Sequence, residues 1–83
     1  MHLETNNHTL NIYGNIKTVN DFINIRDSIN SITDINIIDS ISITSRVIFL
    51  VKDENIRLRV NHKLTDLLKD LNIPYQLLIA KSI

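Results

Sequence analysis

The sequence predicts an α/β fold in which a mostly parallel central sheet is packed with helices, and two periodic patterns support that prediction. Residues 10–16 alternate apolar and polar side chains, which is typical of a half-buried strand. Apolar residues also recur at helical spacing, most clearly at Leu64, Leu67, Leu68 and Leu71. Because strands and helices of this kind alternate along the chain, we expect right-handed crossovers and parallel strand pairing.

Length and composition limit the protein class. A chain of 83 residues has room for a single domain, residues 1–83, near the lower size limit for a self-supporting core. Nine basic side chains balance nine acidic ones, so we expect no nucleic-acid partner. The absence of cysteine excludes disulfides and thiolate zinc sites and favours a cytoplasmic location. No apolar run approaches the roughly 18 residues that span a bilayer, so we expect no direct membrane insertion.

The first part of the chain predicts a β-hairpin followed by a capped helix. Residues 2–5 and 8–13 have the character of strands, and the two asparagines between them tolerate the left-handed backbone of a tight turn. Thr18 and Asp21 form a capping-box pattern that begins a helix reaching about Ser31. Its predicted inward face is built on Val19, Phe22, Ile23 and Ile29 and is widened by Ile25 and Ile32.

The remainder predicts a regular alternation of strands and helices. Residues 34–43 are rich in isoleucine and predict a strand in the middle of the sheet. A short, mostly buried helix is expected over 46–54, a strand over 56–61, the leucine-rich helix capped by Asn61, and a closing strand over 75–80. The predicted order is therefore a hairpin followed by α-β-α-β-α-β.

Three local patterns, taken with this order of elements, resemble the STAS domain, the fold of anti-sigma-factor antagonists and of the cytoplasmic tails of sulfate transporters. The run Leu-x-Ile-x-Gly-x-Ile at 10–16 is similar to a strand of that family that ends in an apolar-x-Gly-x-apolar step. Residues 41–51 resemble its central strand, which runs into Asp-Ser-Ser-Gly and an apolar helix, with Thr44 and Ser45 at the place of the serine pair. Residues 56–71 and the Asn-Ile that follows are similar to its strand, leucine helix and exit, so the resemblance covers nearly the whole chain.

The chain departs from the family pattern at two places. In phosphorylatable members an Asp precedes the serine pair and a Gly follows it, whereas Ile43 and Arg46 hold those positions here. The long helix that closes many STAS domains has no counterpart before Ile83, so the chain resembles a form shortened at the C-terminus. We therefore expect the flank of the sheet beside the last strand to be free for a partner or a second copy.

The resemblance implies a bacterial, non-catalytic protein–protein interaction module without a cofactor, which regulates a partner by binding and release. An anti-sigma or kinase-like factor is one implied partner, with or without phosphorylation. The alternative is a transporter or its ATPase, with the chain as an accessory subunit of an ABC-type lipid or solute transport complex. An alternative from another class is a small self-associating α/β scaffold protein, such as a homodimer. The expected partner-binding residues lie at two neighbouring helix starts and are Ile43, Arg46, Phe49, His62 and Lys63.

Thr44 and Ser45 are the candidate phospho-acceptors. A phosphate at the start of a helix meets unpaired N–H groups and a favourable dipole, and Arg46 adds a positive charge beside it. The alternative interpretation is that both hydroxyls simply cap the helix, which is common for serine and threonine at this position. The departures at Ile43 and Arg46 favour the capping interpretation.

Other chemistry-bearing residues give weaker patterns. His2, His8 and His62 lack the spacing of a metal site, although His2 and His8 flank the predicted hairpin turn. We therefore interpret them as surface residues and expect no metal site and no catalytic residue. Arg57 and Arg59 share one strand face. They form a basic stripe for an acidic partner or a solvated strand face, or they are neutralised by the nearby carboxylates at 53 and 54.

Overall fold

A computed structural model describes residues 1–78 and contains a five-stranded mixed sheet with helices between its parallel strands. The strands are β1 (His2–Asn6), β2 (Thr9–Tyr13), β3 (Asp34–Ile38), β4 (Arg57–Val60) and β5 (Gln76–Leu77). The helices are α1 (Val19–Ser28), α2 (Ser45–Asp53) and α3 (Thr65–Asp70), with a 3₁₀ turn at His62–Leu64 ahead of α3. The strands lie in chain order across the sheet, with β1 antiparallel to β2 and the other pairs parallel. The predicted α/β class and the predicted order of elements are confirmed.

The helices cover one face of this sheet. Each parallel connection steps to the next strand in the same direction, so right-handed crossovers place all three helices on the same side. The strand residues that point to them are at most 2% exposed and are Leu10, Ile12, Ile35, Ile37, Leu58 and Val60. Burial of each such side chain contributes about 1.5–3 kcal/mol to folding. Within residues 1–78, none of the helices has the length and apolar character needed to cross a membrane.

The opposite face of the sheet is polar and holds a ladder of side-chain hydrogen bonds. Asn36 donates to Asn11 at 2.8 Å and accepts from Arg59 at 3.2 Å. Arg59 also donates to Asp34 at 3.2 Å, and Arg57 pairs with the same carboxylate oxygen at 3.1 Å. Asp34 on the neighbouring strand therefore pairs with both arginines, in place of the carboxylates at 53 and 54 that the sequence indicated.

The central strand is shorter than the sequence predicts. It ends at Ile38 because Asp39 has a φ of 55°, which turns the backbone out of the extended conformation. The expected strand over 34–43 therefore divides into β3 and a β3–α2 loop, residues 39–44. The alternation of isoleucine continues through the loop. Because that pattern is the same as in the strand, the sequence predicts a strand that is five residues too long at its end.

Helix α1 is rotated from the predicted orientation. Ile25 is fully buried, and Phe22 and Ile29 pack against the core, whereas Val19 is 59% exposed. Phe22, Ile25 and Ile29 are spaced three and four residues apart and form one stripe, while Val19 stands in the first turn outside that stripe. The helix also ends at Ser28, ahead of the predicted Ser31.

The last elements start and end differently from the prediction. Asn61 accepts a hydrogen bond from the Lys63 N–H at 2.9 Å and so caps the 3₁₀ turn, not the α-helix that follows it. Strand β5 covers Gln76–Leu77 instead of 75–80, and residues 79 and 80 of the predicted strand lie outside the described residues.

Candidate partner-binding site

The carboxyl-terminal edge of the parallel strands is where the chain's functional candidates meet. Strands β2, β3 and β4 all end here, and ligand or partner sites in open α/β sheets commonly lie at this edge. The pairing of β2 with β3 continues beyond the strands through two backbone bonds, Gly14 N–H to Ile38 O at 2.9 Å and Ile16 N–H to Ser42 O at 3.1 Å. The β3–α2 loop is therefore attached along its length to the chain that leaves β2.

Gly14 makes that attachment possible. Its φ of +91° lies in the region that side chains with a Cβ rarely adopt. A Cβ at this position would lie 3.7 Å from Met1 Cα, which is ordinary contact, so the requirement for glycine comes from the backbone conformation and not from crowding. The single glycine of the sequence thus stands where β2 turns toward α1.

Two asparagines from neighbouring strand ends brace the β3–α2 loop. The Asn15 side-chain oxygen accepts from the Ile41 N–H at 2.8 Å. From the other side, the Asn61 amide donates to the Ser40 carbonyl at 3.0 Å. Ser40 itself is fully buried, and its hydroxyl donates to the Ser42 carbonyl at 2.7 Å. The loop is held by side chains on both flanks and within itself, so its conformation is fixed by tertiary contacts.

This braced loop and the helix that follows it present apolar surface to solvent. Ile41, in the loop, is 64% exposed, and Phe49, on α2, is 49% exposed. Arg46 is also exposed and lies three residues before Phe49, so the two share one side of the helix. We call Ile41, Arg46 and Phe49 the loop–helix patch. Arginine and aromatic residues are enriched in protein interfaces.

The sequence-predicted partner-binding residues separate into two groups. Arg46, Phe49 and Lys63 are exposed, whereas Ile43 is only 8% exposed and belongs to the core. Ile43 therefore offers a partner almost no surface, and Ile41, two residues earlier, is the isoleucine of this loop that does. His62 begins the 3₁₀ turn, which follows the bracing residue Asn61.

The two candidate phospho-acceptors have different environments. Thr44 is the N-cap residue of α2 but makes no side-chain cap bond, so it does not play the capping role favoured from the sequence. Its hydroxyl oxygen is buried and, within residues 1–78, has no hydrogen-bond partner, as is also true of the Ser42 hydroxyl. Ser45 is exposed as the first residue of the helix. Of the two hydroxyls, only that of Ser45 belongs to an exposed residue.

The start of α1, at the same edge, is capped by its own side chains. The Thr18 hydroxyl accepts from the Asp21 N–H at 3.1 Å, and the Asp21 carboxylate accepts from the N–H groups of Lys17 and Thr18 at 3.0 and 3.1 Å. These two backbone donors lower the pKa of the Asp21 carboxyl below its ordinary value. The predicted capping box is confirmed.

The histidines do not gather at this edge. His2 pairs with Tyr13 across the hairpin, hydrogen-bonds Glu4 at 3.1 Å and has its ring 5.8 Å from that of Tyr13. His8 lies in the hairpin turn, at the other end of β1, and its Nδ1 is 3.0 Å from the Ser31 carbonyl. His2 and His8, which the sequence places on either side of the turn, therefore lie at opposite ends of β1 and are not cross-strand neighbours. Among the described residues, no group of three or more potential metal ligands comes together.

Sequence reasoning missed Ile41 and the two bracing asparagines. Ile41 has the same alternation as the strand before it, so its exposure follows only from the turn at Asp39. Asn15 and Asn61 each stand one or two residues past a strand end, where a polar side chain can reach a neighbouring loop. An asparagine just past a strand end was therefore the feature of the sequence from which these two braces could have been predicted.

The fold and this edge define a class: an α/β protein with a helix-covered sheet and a braced loop that exposes one apolar side chain, Ile41. Comparisons of the chain with protein-family models, with curated proteins and with solved structures find no match. The STAS resemblance accordingly rests on the motifs and the order of elements.

Proposed function

We propose that the protein is a non-catalytic interaction module of STAS type, which regulates a protein partner by binding it through the loop–helix patch. The observation that most favours this function is the exposure of Ile41 on a loop whose backbone is braced by Asn15 and Asn61. A rigid loop loses little conformational entropy when a partner binds. Little of the free energy gained from the apolar contact of its side chain is therefore lost in ordering the loop.

The composition of the patch fits a protein partner. Phe49 and Arg46 can supply the aromatic and guanidinium contacts that dominate many interfaces, with Ile41, on the preceding loop, as an apolar anchor. Lys63 is exposed two residues after Asn61, the residue that braces the loop, and adds a positive charge. We therefore favour a partner with a shallow apolar recess bordered by carboxylates, as an anti-sigma or kinase-like regulatory protein would need to provide.

Phosphorylation, if it controls this binding, acts at Ser45. The hydroxyl of Thr44 is buried, whereas Ser45 is exposed one residue before Arg46. A phosphate on Ser45 would add negative charge next to Arg46 in the chain and would weaken binding to an acidic partner.

An accessory role in an ABC-type transport complex is the second candidate. The burial of the Thr44 hydroxyl and the replacement of the family's Asp and Gly by Ile43 and Arg46 favour binding that no kinase controls. In that case the patch contacts the transporter or its ATPase permanently.

The test is affinity capture from the native cells with four forms of the protein: wild type, Ser45→Asp, Ile41→Ser and Leu77→Ser. Leu77 is the comparison variant because it is 50% exposed, lies outside the loop–helix patch and represents the flank beside β5, which is the rival binding surface. We expect a partner that wild type and Leu77→Ser capture and that Ile41→Ser loses. Mass spectrometry identifies the partner and any phosphate on Ser45.

Each outcome separates the candidates. Loss of the partner in Ser45→Asp supports a phosphorylation switch, and a transporter or ATPase retained by Ser45→Asp supports the accessory role. A partner lost equally from Ile41→Ser and Leu77→Ser contradicts the assignment of the patch. If no partner is captured and light scattering shows a mass that rises with concentration, self-association replaces both proposals.

A further inference from the structure

A cavity at the amino-terminal edge of the sheet provides a second, separate site. It has a volume of about 310 Å³ and lies between the end of α2 and the starts of β4 and β5. Its apolar lining comes from four buried side chains, Val51, Ile56, Leu58 and Ile73. The loop–helix patch is at the opposite edge of the sheet, so this cavity plays no part in the proposed function.

We infer that this cavity binds a small organic anion with an apolar body and a single anionic group, such as a short-chain carboxylate. The residues that line it include two cations, Lys52 and Arg57, and no carboxylate. The ligand would place its apolar body against the buried side chains and its anionic group beside Lys52 at the rim.

The charge of the lining favours an anion. Arg57 is ion-paired with Asp34, whose carboxylate Arg59 also contacts on the open face of the sheet, so Arg57 adds little free charge to the cavity. Lys52 carries the free positive charge of the lining, because within residues 1–78 it forms no ion pair with a carboxylate. The exposed carboxylates of Asp53 and Glu54 follow it in the chain but do not line the cavity. A cavity with a cation on its rim and apolar walls attracts an anion and discriminates against a cation of the same shape.

The size and the walls define the ligand further. A volume of about 310 Å³ is at the lower limit for small-molecule sites, which limits the apolar body to a short chain or a single ring. Tyr75 and Pro74 add flat apolar surface to one wall. Inorganic phosphate would leave the apolar surface uncovered, so an anion with a hydrocarbon body fits better.

A second groove in the same protein serves as an internal comparison. It has a volume of about 490 Å³ and lies between the ends of α1 and α2. Its lining includes both Arg26 and Glu54, so its charges offset one another. We expect this groove not to select an anion, although it is the larger of the two.

The experiment is a titration of methyl-labelled protein followed by NMR, with hexanoate and hexylammonium as the two probes. These probes have the same hydrocarbon body and opposite charge. Hexanoate is expected to shift the methyl signals of Val51, Ile56, Leu58 and Ile73 in a saturable manner, and hexylammonium is not. Lys52→Met should weaken hexanoate binding about two- to fivefold, because a partly exposed ion pair is lost. Lys69→Met removes an exposed lysine from α3, outside the cavity lining, and should leave the affinity unchanged.

Three results would overturn the inference. The first is the absence of saturation with hexanoate, and the second is equal binding of hexylammonium at the same methyl groups. The third is equal weakening by Lys52→Met and Lys69→Met, which would indicate a general effect of net charge. Because none of these measurements involves a protein partner, failure here leaves the proposed function standing, and the reverse also holds.

Discussion

Helices α1 and α2 begin at the same edge of the sheet, each behind a threonine, but their first turns are stabilised in different ways. At α1, Thr18 and Asp21 exchange hydrogen bonds within four residues of sequence. At α2, Thr44 makes no cap bond, and Asn15 and Asn61 instead brace the preceding loop from other strands. The start of α1 is therefore a local structure, whereas that of α2 depends on tertiary contacts.

This difference coincides with the difference in proposed role. At the start of α1, the side chains of Thr18 and Asp21 bind backbone N–H groups of the same short segment. The loop before α2 has its backbone fixed by neighbours and its Ile41 side chain turned to solvent. A loop whose backbone is fixed by hydrogen bonds to neighbouring segments can remain rigid while its exposed side chain is available for binding.

Among substitutions that affect the loop before α2, Gly14→Ala should have the largest effect on stability. The alanine must adopt a φ near +91°, so we expect a loss of about 1–2 kcal/mol in the free energy of unfolding. The measurement is urea denaturation at neutral pH. Ser31→Gly is the control, since Ser31 has a φ of 66° and glycine relieves the strain there. If Gly14→Ala proves as stable as wild type, the turn after β2 does not depend on glycine.

The next largest effect on stability should come from loss of a hydrogen bond that braces the β3–α2 loop. Asn15→Ala removes the acceptor of the Ile41 N–H and should cost about 1–1.5 kcal/mol. It should also speed hydrogen exchange at the Ile41 amide by more than the global loss of stability explains. Asn11→Ala, on the open face of the sheet, also loses one side-chain hydrogen bond and should leave exchange at Ile41 unchanged apart from that global loss. Equal acceleration by both variants would show that Asn15 has no specific bracing role.

Substitution of the two helix-start threonines, Thr18 and Thr44, should change the stability by an intermediate amount and in opposite directions. Thr18→Val removes a cap bond and should destabilise the protein by about 1 kcal/mol. Thr44→Val replaces a buried, unpartnered hydroxyl by a methyl group and should be neutral or stabilising by up to about 1 kcal/mol. Thermal unfolding of the two variants in parallel measures both changes. The same sign of change in both would mean that the two helix starts are equivalent.

The smallest effect is the pH dependence of the α1 cap. The pKa of Asp21 is lowered in the folded state, so its contribution to stability is present above the unfolded value, about 3.9, and is lost as pH falls through the folded pKa. Asp21→Asn should cost about 0.3–1 kcal/mol at pH 7, and the difference from wild type should narrow below about pH 5. Asp27→Asn removes an exposed carboxylate near the end of α1. It should cause a smaller loss of stability at pH 7 and a smaller change of that loss with pH. A constant difference down to pH 2 would contradict the assigned cause of the pKa shift.

The same contrast explains which features could be predicted from the sequence. The capping box at Thr18 needs only neighbouring residues, and it was predicted correctly, as was the order of elements. The end of β3 depends on one positive φ at Asp39 within a run of alternating isoleucines, and the pattern alone gave no sign of it. The exposure of Ile41, the burial of Ile43 and the rotation of α1 depend on how distant segments pack, which periodicity in a single segment does not encode.

The most direct test of the central claim is the affinity of the captured partner for Ile41→Ser compared with Leu77→Ser, measured by titration calorimetry. The account predicts that Ile41→Ser weakens binding about five- to thirtyfold, as expected for truncation of an anchor residue that costs about 1–2 kcal/mol. Leu77→Ser, which removes an apolar side chain of similar exposure elsewhere, should change the affinity less than about twofold. Equal affinities for wild type and Ile41→Ser would contradict the claim that the braced loop presents the binding surface.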